Sequence, residues 1–249
     1  MEEKINALMI RSVDYADNDK ILSLFSLEQG VISAKIRGVK KAGAKLKFAA
    51  EPFCFAEYIL AGGGFKTVTN ASLLDSFYPV RENIYKFYAA GTAAEFVKRY
   101  CPENSVAEGL FLETVRFLKL CAYTDLPPDG LLLIYLLHAL GEIGYSLGFG
   151  GCAGCGEKPN RVFFDFSAGG GYCENCRPEG SVEISPVTYG LLGTLNGISL
   201  ADVTEDTFRE LGVADNYYTR ALKLTAKYLR TVTREEPSSL KEFIKMYEF

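Results

Sequence analysis

Val31-Ile32-Ser33-Ala34-Lys35-Ile36-Arg37 alternates apolar and polar side chains without a break. At a period of two, Ile32, Ala34 and Ile36 share one face and Ser33, Lys35 and Arg37 the other. The segment therefore reads as a strand with a core side and a cationic side. Working outward, further strands are expected at Ala7 to Val13, Lys20 to Phe25, Pro52 to Leu60 and Phe65 to Thr69. The turn signals Glu28-Gln29-Gly30 and Gly62-Gly63-Gly64 divide them. Five short strands in about seventy residues predict a small barrel, and the OB-fold is the commonest such barrel that holds nucleic-acid strands on an exposed face.

The 249-residue chain has a net charge of −4, which by itself predicts no affinity for a polyanion. Its distribution says more. No acidic residue lies between Glu28 and Glu51, whereas Lys35, Arg37, Lys40, Lys41, Lys45 and Lys47 all fall there. They are six of the ten basic side chains of residues 1–78, a stretch with nine acidic ones. The loop from Gly38 to Lys47 extends the cationic strand with glycine-spaced lysines, and is expected to be flexible enough to track a phosphate backbone. Six contacts to a single strand would give a salt slope of about −4. A solvated edge strand guarded by lysine against aggregation fits the same residues. Phe48, Phe53, Phe55 and Tyr58 are near in sequence but not on the basic strand, so backbone contact is expected to dominate over base stacking.

Cys152-Ala153-Gly154-Cys155 and Cys173-Glu174-Asn175-Cys176 are separated by seventeen residues. Two residues between cysteines let one tight turn aim both sulfurs at an ion, and two such turns supply the four thiolates of a closed, structural zinc site. Arg161 to Phe166 can form a strand between the turns, which is the build of a zinc ribbon. A thioredoxin-like redox unit would need one pair only. Disulfides would need an oxidising compartment, and Met1-Glu2-Glu3-Lys4 has none of the character of an export signal. A reduced, cytoplasmic setting is expected, with Cys54, Cys101 and Cys121 as small buried side chains.

After Tyr78-Pro79 the period becomes helical. Ile84, Phe87, Gly91, Ala94 and Val97 form one stripe, Leu110, Thr114, Phe117 and Cys121 another, and Leu131 to Leu147 the most apolar helix. The break at Thr124 to Asp129 lets Pro128 open that helix. The apolar run Leu131 to Leu140 is short of the roughly twenty residues a membrane span needs, so no membrane partner is expected. It contains His138, the chain's one histidine, expected to be buried and hydrogen-bonded. No Ser/His/Asp set, phosphate loop or carboxylate pair emerges, so an enzyme is not expected. Ser185-Pro186 is a helix start, and Ser239 to Glu242 has the spacing of a capping box. From Asp215 onward Arg220, Lys223, Lys227, Arg230 and Arg234 step by three and four and make a basic ridge, with Tyr218, Leu222, Thr225, Leu229 and Val232 opposite. Such a ridge is either a solvated face or a surface for phosphates or an acidic partner.

The whole chain resembles the bacterial DNA repair and recombination family RecO. The resemblance is carried by Arg11 to Leu22, Gly30 to Val39, Lys66-Thr67 before Leu74 to Phe77, the two cysteine pairs and the start at Ile184-Ser185-Pro186. It implies an α+β multidomain protein: an N-terminal OB-fold β-barrel over 1–78, a helical bundle over 79–150, an inserted four-cysteine zinc ribbon over 151–180, and C-terminal helices over 181–249 packing with the helical part. It also implies a non-catalytic mediator that binds single- and double-stranded DNA and anneals strands. With RecR, such a mediator loads RecA onto strands coated by single-stranded DNA-binding protein, in the cytoplasm at the nucleoid. Lys35, Arg37, Lys40, Lys41, Lys45 and Lys47 occupy the positions of the family's basic strand and loop. A different class remains: a zinc-containing scaffold whose basic surface takes an acidic partner, such as the C-terminal tail of single-stranded DNA-binding protein, on the helical ridge.

Overall fold

The computed structural model describes residues 2–248, and its first five strands are β1 (Glu2–Tyr15), β2 (Asp19–Ser26), β3 (Gly30–Ile36), β4 (Phe55–Ala61) and β5 (Lys66–Asp75). They close into a barrel in the order β1-β2-β3-β5-β4. The β3–β5 contact is parallel and the other four are antiparallel. This is the five-stranded OB-fold. Ile32, Ala34 and Ile36 lie inside it with Ile5, Leu22 and Leu24, as the alternation requires. β1 outruns its expected end at Val13 because a register shift between Met9 and Arg11 bends the strand and lets it follow β2 to Tyr15. β4 begins at Phe55 rather than Pro52, since Lys47–Ala50 form a short 3-10 turn and Phe53 takes a left-handed φ of 64°.

Three helices follow: α1 (Tyr78–Glu82), α2 (Ile84–Tyr100) and α3 (Glu108–Tyr123). Asn83 caps α2 by accepting from the backbone N–H groups of Tyr85 and Lys86. The buried face of α2 keeps Ala94 and Val97 of the expected stripe, with Phe87 and Gly91 half-buried, but it is wider than that stripe and leaves out Ile84. Ile84 is 57% exposed, while Ala89, Ala90, Ala93, Phe96 and Val97 are buried, because small side chains face inward where α2 lies against β1. The α3 stripe is as expected, with Leu110, Thr114, Phe117 and Cys121 all buried.

The chain divides into two compact units between Tyr123 and Thr124. The helices expected to form one bundle over 79–150 are thus split. α1 to α3 belong with the barrel: Phe111 packs edge-on against Phe25 at 5.3 Å, and Phe87 against Phe53 at 5.6 Å.

The second unit is built around α4 (Pro128–Glu142), which Pro128 opens as expected. Every residue from Asp129 to Leu137 is buried, the mark of a central helix. His138 is half-buried, and α4 stops before Leu147, with Gly144 at a φ of 85°. A three-stranded sheet follows, with β6 (Val162–Asp165) between β7 (Gly170–Tyr172) and β8 (Val182–Ile184). Then come α5 (Pro186–Asn196), α6 (Glu205–Leu211), α7 (Asp215–Thr233) and α8 (Ser238–Lys245). α4 packs against α5 and α7. Ser239 was expected at the cap of α8, but Pro237 holds the cap position, Ser239 is inside the first turn, and Glu242 pairs with Lys245 at 2.8 Å. Thr204 and Thr207 cap each other reciprocally and open α6.

Candidate nucleic-acid interface and metal centre

β3 carries Lys35 on the outer side of the barrel, opposite Ile21 of β2 and Thr67 of β5. It is the least free of the expected cations. Lys35 Nζ is 2.9 Å from Asp19 Oδ2 and 4.5 Å from the centre of the Tyr15 ring, and the residue is half-buried. The other five, Arg37, Lys40, Lys41, Lys45 and Lys47, are exposed. The loop bearing them is wound more tightly than expected. Lys41, Ala44 and Lys47 each donate a backbone N–H to the carbonyl three residues earlier, and the Gly38 N–H donates to Asp19 Oδ1 at 2.8 Å. The cations therefore ride on consecutive turns.

Two carboxylates condition this surface. The Gly38 N–H, with Lys35 beside it, holds the Asp19 carboxyl below the usual range, and Lys40, 2.7 Å away, does the same to Asp14. The aromatics near the basic window turn away from it. Tyr58 is fully buried and donates its hydroxyl to the Ala49 carbonyl at 2.9 Å, while Phe55 packs on Phe111 at 6.0 Å. Tyr15 does belong to this face. Sequence reasoning missed it because the strand was expected to end at Val13; the same alternation carried two residues further would have found it.

The four ribbon cysteines converge. The sulfurs of Cys152, Cys155, Cys173 and Cys176 lie within 4.8 Å of one another, and Cys155 to Cys173 is 3.9 Å. Four sulfurs about 2.3 Å from one tetrahedral zinc would stand about 3.8 Å apart. The group can hold a metal ion. Cys152 Sγ accepts backbone N–H bonds from Cys173 at 3.2 Å and Gly154 at 3.4 Å. The Cys173 N–H is the main reason that the Cys152 thiol falls to about 6. Hydrogen bonding among the crowded sulfurs, first with Cys173, raises Cys176 to about 12. Without a cation at its centre, such a cluster resists ionising all four thiols. Gly154 is obligatory here, since a Cβ on it would stand 2.8 Å from Cys176 Cβ.

The sheet fixes these knuckles to the helices. Arg161 bridges Glu183 of β8 at 2.8 Å and Glu174 of the second knuckle at 2.9 Å. The Tyr189 hydroxyl, from α5, donates toward the carbonyls of Gly148 and Gly151 at 3.1 and 3.2 Å. Phe164 of β6 meets Tyr228 of α7 edge-on at 6.5 Å. Cys54, Cys101 and Cys121 are buried as expected and stand apart from this centre. Burial pushes Cys54 up to about 11 and Cys121 up to about 12.

On α7, Arg220, Lys223, Lys227 and Arg230 are exposed, and Arg234 follows at the helix end in a left-handed conformation. Tyr218, Leu222, Thr225 and Leu229 are buried on the other side, and Val232 is half-buried. Lys223 pairs with Glu248 at 2.7 Å, Arg230 with Glu236 at 3.8 Å, and Lys227 lies 4.1 Å from the Phe166 ring. Among the described residues, no helix is long and apolar enough to cross a membrane.

Two family models match in sequence. "Recombination protein O N terminal" matches residues 1–77 and "Recombination protein O C terminal" residues 81–241. A Clostridium perfringens protein named "DNA repair protein RecO" is 28% identical over 242 residues, covering 96% of each chain. One of the same name from Syntrophomonas wolfei is 28% identical over 200 residues, 79% of this chain and 80% of that protein. Another, from Desulfitobacterium hafniense, is 32% identical over 179 residues, 71% of this chain and 65% of that protein.

Proposed function

The chain belongs to the RecO family, and from that premise we propose that it is a DNA repair protein acting as a non-catalytic recombination mediator. It binds single- and double-stranded DNA, promotes annealing and, with RecR, helps load RecA onto strands coated by single-stranded DNA-binding protein, in the cytoplasm at the nucleoid. The observation that carries this reading is the row of exposed cations Arg37, Lys40, Lys41, Lys45 and Lys47 beside the barrel face. Cations spaced along consecutive turns neutralise a phosphate backbone whatever its sequence. Two strands brought to such a surface repel each other less, and base pairing then selects the partner. No bond of the DNA needs to be broken for this.

The metal in this reading is zinc, held by Cys152, Cys155, Cys173 and Cys176. Four thiolates close its coordination shell, so it supplies folding energy to the ribbon and leaves no position for a reactive water. The α7 ridge is a second surface. Its cations already pair with carboxylates at Lys223 and Arg230, which favours the acidic C-terminal tail of single-stranded DNA-binding protein as its occupant.

Anisotropy of a labelled oligonucleotide tests the DNA assignment. The triple variant Lys41→Glu, Lys45→Glu, Lys47→Glu is expected to weaken single strand and duplex alike, by at least about tenfold at low salt. Equal affinities of variant and wild type would remove these residues from the interface.

A further inference from the structure

We propose that the exposed ring of Tyr15 is a base-stacking platform, which makes this barrel face favour unpaired nucleic-acid strands over duplex. Lys35 then holds the ring instead of gripping phosphate. The inference rests on the DNA-binding reading above and assigns its single-strand preference to one side chain.

The register fixes which residues share the face. Val13 lies opposite Ile21, Ile21 opposite Lys35, and Tyr15 opposite Asp19, all on the side away from Leu22, Ala34 and Ile36. One end of this face is covered. Phe25 and Val31 are fully buried, Phe25 beneath Phe111, and the Asn104 N–H donates to the Val31 carbonyl at 2.9 Å. The other end is bare: Val13 is 41% exposed and Tyr15 47%. An apolar strip ending in an aromatic ring is thus left open; exposed Arg11 shares its side of β1, and exposed Arg37 and Lys41 stand with Asp17 and Asp19 beside the turn that follows Tyr15.

That combination has a chemical meaning. An unpaired base offers a flat π face and a phosphate on the same nucleotide, and an aromatic ring among cations receives both. A duplex hides its base faces in the stack and offers phosphates only. Lys35 suits a supporting role because its ammonium is already committed to Asp19 and lies against the Tyr15 ring. Asp19 in turn accepts the Gly38 N–H at 2.8 Å, so the start of the cationic loop and the ring are fixed through one carboxylate.

The chain contains no tryptophan, so Tyr15→Trp in the full-length protein introduces a single indole at the proposed contact. Its emission should be quenched by a bound thymidine oligonucleotide and unaffected by a long blunt duplex at equal saturation. Tyr15→Leu should weaken the single strand by about tenfold, leaving duplex affinity and the salt slope unchanged. Tyr15→Phe, which keeps the ring, should bind like wild type. An unquenched indole with the strand bound, or a Tyr15→Leu loss that is absent or equal for both forms, overturns the proposal. Failure of wild-type protein to bind either form at low salt overturns the DNA-binding reading itself and this inference with it.

Discussion

Asp129 is a carboxylate taken almost wholly out of water. It sits in the first turn of α4 and is 4% exposed, with its Oδ1 accepting the Gly130 N–H at 2.9 Å. Burial raises its carboxyl to about 6. The folded state is therefore penalised for holding it ionised. That penalty is absent below the ordinary carboxylate range, grows as pH rises, and is complete above about 6. Asp129→Asn is expected to stabilise the protein by on the order of 2–3 kcal/mol at pH 7.5 and by almost nothing at pH 3.5. Denaturant unfolding at the two pH values checks it, and a gain independent of pH would contradict the assigned cause. Nothing in the sequence distinguishes Asp129 from Asp125, since its burial comes from tertiary packing. Lys35 is a similar case. Its place on the outer face was legible from alternation, but its pairing with Asp19 depends on the register between β2 and β3, which alternation alone does not set.

Among the elements, the ribbon was the most legible, because two close cysteine pairs leave few geometries open. A structural zinc held by its four cysteines would contribute roughly 10 kcal/mol or more, concentrated in one small sheet. Cys173→Ser is expected to abolish metal retention and expose β6, β7 and β8 while the barrel stays folded. Hydrogen exchange should lose protection at Val162–Asp165 and Gly170–Tyr172 and keep it at β1 to β3. Loss of protection in both regions would mean that the metal supports far more than the ribbon. The longer helices were legible, the short α6 was not, and helix faces were read unevenly. The α3 stripe could be read because large side chains mark it, whereas α2 buries alanines, which hydrophobic periodicity barely registers. Its exposed Ile84 misled the assignment for the same reason. The break at Thr124 to Asp129 was legible, but not that it parts two compact units, since what joins α1 to α3 to the barrel is aromatic packing between residues far apart in sequence, such as Phe25 with Phe111.

At the scale of the whole molecule, a chain with a net charge of −4 is proposed to bind a polyanion, which is reasonable only if local sign outweighs the sum. Family membership supports that reading, and the exposure of Arg37, Lys40, Lys41, Lys45 and Lys47 supplies its physical basis. Salt dependence measures this most directly, because each phosphate neutralised releases counterions irrespective of sequence. The measurement is the affinity of full-length protein for a single-stranded oligonucleotide across about 50 to 200 mM salt. The account predicts a log–log slope of about −3.5 for five contacts, shared by unrelated sequences and flattened when Lys41, Lys45 and Lys47 are reversed. A wild-type slope near zero, or a steep slope that those reversals leave unchanged, would contradict it.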